Sequence, residues 1–266
     1  MDYLFDPANW EWIFAGRNFM FLLERFLNNI LLALITMALS LVVGLVVALL
    51  RISKNRAVSV ATSIWIDIWR NLPVLLLLLY FGLALPESVK EFWADNAPAF
   101  LPAQLRSGQV IASILALVVY NSAVIAEIFR AGIQSLERGQ GEAAAALGLT
   151  YWKSMRIVIL PQGLRRMVPA TVSQLITLTK DTSLVSILAI QELVSAGSIV
   201  NNTSGSPFGG TGVPAPILQV FIVVGAMFVV FNLSLSLLSR RLEVRERKRF
   251  GDVETVTGLE DQVAVA

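Results

Sequence analysis

The most chemically distinctive residues of the chain are two adjacent charges in an otherwise apolar stretch. Lys180 and Asp181 are accompanied by three hydroxyl side chains, those of Thr177, Thr182 and Ser183. An ammonium group can hold a carboxylate, a carboxylate can hold an ammonium group, and hydroxyls can complete the hydrogen bonds. This set would suit a small zwitterion such as an amino acid. The alternatives are an ion pair to another subunit and a local helix break that touches no ligand.

A second polar group lies earlier in the chain, around a proline. Asp67 and Arg70 are three residues apart, so on a helix they share a face and could neutralise each other. Pro73 removes a backbone hydrogen bond and bends the helix. Arg70 and Asn71 would then line a solute path or its inner gate. In the alternative, Asp67 and Arg70 form a pair near the inner membrane surface.

A third pair, Glu127 and Arg130, has the same spacing and lies at the end of another apolar stretch. We expect it to be a structural ion pair that anchors the segment following it. Ionisable groups inside a membrane are costly, which makes the first two pairs, and not this one, candidates for function.

The composition indicates that the chain contacts lipid. Of its 266 residues, 56% are hydrophobic, above the 45–50% of ordinary soluble domains. It has no Cys and no His, which excludes disulfides, thiol chemistry and the commonest metal ligands, so no metal site is predicted. A basic patch on a soluble fold is missing, so nucleic acid is not an expected partner.

Five apolar stretches are long enough to cross a membrane. They cover residues 26–50, 57–85, 110–129, 167–188 and 217–238. The sequence therefore predicts an all-α membrane protein with five transmembrane helices within residues 26–239. Residues 1–25 would form an amphipathic head whose aromatic side chains, among them Trp12 and Phe21, anchor it at the outer interface. Residues 240–266 would form a cytoplasmic tail.

The placement of basic residues predicts the orientation. Of the 21 Lys and Arg residues, fifteen fall on one side of the five spans and four on the other. Positive charge is retained in the cytoplasm. The N-terminus is therefore expected outside and the C-terminus in the cytoplasm. Residues 139–166, between spans 3 and 4, are expected at the cytoplasmic face.

Residues 139–166 have the pattern of a helix, a turn and a second helix. Residues 140–147 favour helix, Gly148 permits a left-handed turn, and Thr150 is placed to cap a helix over residues 151–160. Pro161 would stop or kink that second helix. The product would be a compact, stiff surface for another protein, or a simple connection between two spans.

This segment resembles the EAA loop of bacterial ABC-importer permeases. The matching residues are Glu142, Ala143, Ala144, Gly148, Leu160 and Pro161. Val158 stands where that family usually has Ile. The resemblance implies that the segment is a coupling helix that docks on a cytoplasmic ATPase. Residues 66–83, 120–149 and 178–193 are similar to the polar amino-acid permeases of the histidine/glutamine/glutamate type, so the likeness covers roughly residues 20–245 and implies their five-span topology.

The resemblance also implies partners. The chain has no phosphate loop of the form G-x-x-x-x-G-K-[ST], so we expect no enzyme activity in it. ATP and Mg would be held by two separate ATP-binding subunits. A second permease, identical or homologous, and an extracytoplasmic solute-binding protein would complete an importer in the bacterial cytoplasmic membrane, which the chain crosses several times in contact with lipid. Basic Arg70 and Lys180 favour glutamate, aspartate or glutamine as the solute, and Asp67 and Asp181 keep histidine and arginine open. The alternative is an ion-coupled carrier or channel that needs no ATPase.

Overall fold

The computed structural model describes residues 2–136, 138–202 and 216–250. These residues form helices and short turns, with no strand among them, so the predicted all-α class is confirmed. In chain order the α-helices are α1 (Asp2–Phe5), α2 (Asn18–Arg51), α3 (Arg56–Asn71), α4 (Val74–Ala84), α5 (Glu87–Asn96), α6 (Gly108–Gln134), α7 (Arg138–Ala146), α8 (Tyr151–Ser154), α9 (Leu160–Arg166), α10 (Val168–Asp181), α11 (Leu193–Asn202) and α12 (Ile217–Phe250).

Three of these helices are each long and apolar enough to cross a membrane, namely α2, α6 and α12. Two further crossings arise only if each of two bent pairs is one span: α3 with α4, and α10 with α11. The described chain therefore contains three to five candidate spans, and the predicted second and fourth spans are broken helices. The helix α12 continues through residue 250, so the predicted tail begins as helix, and its residues 251–266 lie outside the described part.

The break in the predicted span 57–85 is far sharper than a proline kink. The helices α3 and α4 meet at 98°. Leu72, between them, is extended with ψ 137°, as expected for a residue before proline, and Pro73 follows with ψ 130°. The side-chain amide of Asn71 donates to the Asp67 carbonyl oxygen at 2.7 Å, which satisfies one carbonyl that the ended helix leaves free. The bend predicted at Pro73 is therefore present, and it divides the predicted span into two helices.

The predicted span 167–188 also changes character part of the way along. The α-helical hydrogen bonding of α10 ends at Asp181, and residues Thr182–Leu188 form a 3₁₀-helix. Ala189 then adopts a left-handed conformation with φ 58°, and α11 departs at 53°. A left-handed alanine costs about 1–2 kcal/mol, so the surrounding contacts must hold this turn in place.

The N-terminal head is part of the protein interior and is not a purely interfacial anchor. The Trp12 side chain is fully buried, and Phe21 lies in the first turn of α2, where it is 4% exposed. Both pack in one apolar cluster with residues of α11 and α12. The side-chain amide of Asn18 donates to the Trp12 carbonyl oxygen at 2.9 Å and fixes the head to α2. Trp12 and Phe21 therefore pack against the protein, whereas Phe14 is 87% exposed. The placement of the head at the outer interface stays a prediction.

The helix α6 lies at the centre of the fold. It packs against α2, α3, α4, α5, α9 and α10, and 61% of its most apolar 18-residue stretch is buried. In α12 only 11% of the corresponding stretch is buried. The apolar surface of α12 is therefore available to lipid or to another chain.

Candidate transport path and coupling segment

The segment between α6 and α10 folds into the helix–turn–helix that the sequence predicts. The helix α7 ends in a Schellman motif: the Leu149 N–H donates to the Ala144 carbonyl oxygen at 3.1 Å and the Gly148 N–H to that of Ala145 at 2.9 Å. Gly148 has φ 75°, the left-handed conformation that this motif requires. The turn is thus fixed by the one residue type that adopts it without strain.

The second half of this segment differs from the prediction. Thr150 has the backbone conformation of a helix cap, but its side chain makes no capping hydrogen bond. Pro161 does not stop the helix. Residues Met155–Ile159 form a π-helical turn, and α9 continues from Leu160 through Pro161 to Arg166. The wider turn accommodates the proline because the Leu160 N–H bonds the Met155 carbonyl oxygen, five residues back.

The six motif residues lie in α7, its turn and the start of α9, with unequal exposure. Ala144 is buried, Leu160 is half-buried, and Glu142, Ala143, Gly148 and Pro161 are exposed. Three large apolar side chains accompany them on the surface: Leu147, Trp152 and Ile157 are 81%, 72% and 63% exposed. An apolar group of this kind on a projecting segment marks a contact surface.

Close packing joins this segment to α6. Gly132 of α6 and Gly163 of α9 face each other, so that a Cβ on Gly132 would lie 2.9 Å from the Gly163 carbonyl oxygen. The Arg166 guanidinium donates to the Ser135 carbonyl oxygen, at the C-terminal cap of α6, at 2.8 Å. One turn earlier, Glu127 and Arg130 form an ion pair at 2.7 Å, and Arg130 also contacts the Gln134 side chain.

The first set of predicted path residues lies at the end of α10. Lys180 is exposed, and Asp181 is half-buried with one carboxylate oxygen that has no hydrogen-bond partner among the described residues. The hydroxyls of Thr177 and Ser183 donate to backbone carbonyl oxygens instead of to the Asp181 carboxylate. Thr177 donates to the Ser173 carbonyl oxygen at 3.4 Å and Ser183 to that of Lys180 at 2.7 Å.

Thr182, a predicted residue of the solute path, lies in the interior of this chain. Its side chain is fully buried and donates to the Thr179 carbonyl oxygen at 2.7 Å. It also accepts a hydrogen bond from the Asn29 amide at 3.3 Å. The change from α-helix to 3₁₀-helix begins at this residue, in agreement with the local helix break that the sequence left open as an alternative.

The second set lies at the break before Pro73. Asp67, Arg70 and Asn71 are all exposed. The structure describes both side chains, and Asp67 and Arg70 form no salt bridge with each other, so the alternative in which they pair is not supported. Both are exposed on α3. The two predicted groups therefore lie at the two broken spans, one at each break.

Sequence reasoning missed a buried polar group that involves Asn29 of α2 and Glu192, which precedes α11. They are 1% and 2% exposed, and the Asn29 amide donates to the Glu192 carboxylate at 3.2 Å. A signal was present: Glu192 stands immediately before an apolar stretch, and Ser195 follows at the spacing of a capping box. The contact to Asn29 has no such signal, because the residues are 163 positions apart.

The arrangement of broken spans around a central helix, with a projecting helix–turn–helix, defines a membrane permease fold. Residues 40–248 match the family described as binding-protein-dependent transport system inner membrane component. The chain belongs to this family, which confirms the predicted resemblance and the predicted membrane location.

Individual relatives agree with this assignment. The chain is 35% identical over 235 residues to the probable glutamine ABC transporter permease protein GlnP of Bacillus subtilis (strain 168), covering 88% of this chain and 97% of that protein. It is 29% identical over the same length to the glutamate/aspartate import permease protein GltK of Escherichia coli O6:H1, with the same coverage. Among solved structures, an amino acid ABC transporter crystallised with histidines matches with a TM-score of 0.67 at 27% identity, covering 85% of this chain and 94% of that one.

Proposed function

We propose that the chain is the membrane-spanning permease subunit of an ABC importer that takes up a polar amino acid. Its family and the amino-acid permeases among its relatives support this function. A lone ion-coupled carrier or channel is not favoured, because it would leave the exposed apolar surface of the helix–turn–helix without a purpose. The single observation that carries the proposal is that surface, which is joined to α6 by the packing of α9.

The segment from α7 to α9 acts as the coupling helix in this proposal. It faces the cytoplasm, and two separate ATP-binding subunits, which hold ATP and Mg, grip it through Leu147, Trp152 and the motif residues. Closure of those subunits on ATP moves the segment. The Gly132–Gly163 contact and the bond from Arg166 to the end of α6 transmit the movement to the centre of the fold.

The two broken spans form the solute path in this proposal. A loaded binding protein docks outside and releases the amino acid into a channel shared with a second permease subunit. Asp181 and Lys180 at one break, and Arg70 and Asn71 at the other, then present charges to the zwitterion. Irregular backbone at membrane depth is tolerated where it lines a cavity, which supports a path at these breaks.

The solute favoured by these residues is glutamate, aspartate or glutamine. Arg70 and Lys180 supply positive charge for a side-chain carboxylate or a polar amide, and the relatives named for glutamine and for glutamate/aspartate support the same choice. The acidic Asp67 and Asp181 oppose this preference. Uptake of each radiolabelled amino acid by the reconstituted importer would identify the solute.

Two experiments test the proposed function. Purification of the chain from its native membrane should recover an ATPase subunit in stoichiometric amount, and recovery without one would contradict the proposal. Gly148→Ala should lower the amount of solute moved per ATP hydrolysed, because a left-handed alanine costs about 1–2 kcal/mol and distorts the turn. Gly141→Ala is the matched control, since neither added Cβ meets an atom within 4 Å and only Gly148 has positive φ.

A further inference from the structure

One side chain of α2 holds both halves of the broken fourth span. The Asn29 amide nitrogen donates to the Thr182 hydroxyl at 3.3 Å, at the point where α10 ends. The Asn29 amide oxygen accepts from the Leu193 backbone N–H at 3.0 Å, at the point where α11 begins. The residues between these two points include the left-handed Ala189. Asn29 thus bridges the turn from the side of another helix.

The Glu192 carboxylate completes this arrangement by capping α11. Its two oxygens accept from the backbone N–H groups of Val194 at 2.9 Å and Ser195 at 2.7 Å, and the Ser195 hydroxyl accepts from the Glu192 N–H at 2.9 Å. This is a reciprocal capping box with the acid at the cap position. The Asn29 amide supplies a third donor to the carboxylate at 3.2 Å.

The three side chains are shielded from solvent. Asn29, Thr182 and Glu192 are each at most 2% exposed. No Lys or Arg of the described residues forms a salt bridge with Glu192, so neutral donors alone satisfy the carboxylate. Burying a carboxylate with only neutral donors costs free energy. If packing alone were needed, apolar side chains would fill the same space without that cost.

We propose that Asn29 and Glu192 are positioning residues that set the bend of the fourth span and thereby place Asp181 on the solute path. The claim about the bend is independent of the proposed function, whereas the claim about Asp181 and the solute path rests on it. Thr182, which Asn29 holds, is the immediate neighbour of Asp181. Because Asn29 bonds both sides of the turn, a change in its hydrogen bonding alters the angle between α10 and α11 and moves Asp181 with it.

The directions of these hydrogen bonds suggest variants that break the contact between Asn29 and Glu192 and a double variant that restores it. Asn29→Asp places a carboxylate against the Glu192 carboxylate. Glu192→Gln replaces one of the two acceptor oxygens with an NH₂ group, which then faces either the Asn29 NH₂ group and the Val194 N–H or the Ser195 N–H. In the double variant, the glutamine amide can donate to the new aspartate, although the Val194 N–H loses its acceptor. Asn28→Asp is the matched control, because Asn28 is 4% exposed and its amide nitrogen has no partner among the described residues. Thr182→Val adds no charge and removes the hydroxyl that accepts from Asn29 and donates to the Thr179 carbonyl oxygen, so it serves if the charged variants fail to fold.

The first measurement reports the relative position of α10 and α11 and does not require transport. The chain has no Cys, so Val168→Cys and Ser198→Cys give two unique spin-label sites, one on each half of the broken span. In the assembled transporter, we expect a single narrow distance distribution that broadens or shifts in Asn29→Asp and Glu192→Gln and narrows again in the double variant. Unchanged distributions in both single variants would overturn the proposal, and so would equal broadening in Asn28→Asp.

The second measurement tests whether Asp181 lies on the solute path. In proteoliposomes, each single variant should raise the KM for uptake about tenfold per assembled transporter, and the double variant should recover most of that loss. If the bend responds but KM does not, the claim about Asp181 is wrong. If the unaltered chain supports no ATP-dependent uptake with its ATPase, the proposed function fails, while the distance measurement still decides whether Asn29 sets the bend.

Discussion

The contact between Gly132 and Gly163 offers the most quantitative test of how α6 and the coupling segment are joined. An added Cβ on Gly132 would overlap Met167 Cγ, and it would lie 2.7 Å from the Met167 sulfur and 2.9 Å from the Gly163 carbonyl oxygen. Both separations are below normal contact distance. The sulfur belongs to a flexible side chain that can move, but the carbonyl oxygen belongs to the backbone of α9, so Gly132→Ala must push the two helices apart.

The expected change in the free energy of unfolding follows from two opposing effects. An alanine in place of glycine stabilises a helix interior by about 1 kcal/mol, and less near the end of α6. Overpacking a tight contact costs about 1–3 kcal/mol. The glycine Gly225 of α12 provides the reference, because a Cβ there meets nothing within 4 Å. Gly132→Ala should therefore be less stable than Gly225→Ala by about 1–3 kcal/mol.

The assay is the loss of monodisperse transporter on heating, measured by size-exclusion chromatography. In a chain of this size, each kcal/mol corresponds to a shift of about 2–4 °C in a two-state transition, so Gly132→Ala should melt several degrees below Gly225→Ala. Adding Met167→Ala to Gly132→Ala should recover only part of the loss, because the clash with the Gly163 carbonyl stays. Equal melting of Gly132→Ala and Gly225→Ala would refute the reasoning.

Three further predictions concern other parts of the chain. Trp12→Ala should destabilise the protein by about 3–5 kcal/mol in the same melting assay, because the side chain is fully buried. Phe14→Ala, at an exposed position, should change stability by less than about 0.5 kcal/mol. Arg130→Met should cost about 1 kcal/mol or less, since the Glu127–Arg130 side chains remain 21% and 29% exposed and water screens the pair. Lys180→Met should raise the KM for acidic amino acids more than for neutral ones, and unchanged uptake kinetics would assign Lys180 a purely structural role.

The sequence alone determined the features that depend on composition and on local backbone preference. Long apolar stretches are sufficient to predict helices, because a backbone in lipid must satisfy its hydrogen bonds internally. Gly148 is sufficient to predict the turn after α7, since few other residues adopt φ 75° without strain. The motif from Glu142 to Pro161 could be recognised from the sequence for a similar reason, because its spacing is a local property of the chain.

Tertiary structure alone decided the features that depend on contacts between distant residues. Pro73 predicts a bend, but the 98° angle between α3 and α4 depends on what each helix packs against. Thr182 lies inside the protein, where Asn29, 153 residues away, donates a hydrogen bond to its hydroxyl. Trp12 is buried because α11 and α12 close over the head. No periodicity or motif encodes such pairings, because the free energy that selects them exists only once the helices have packed.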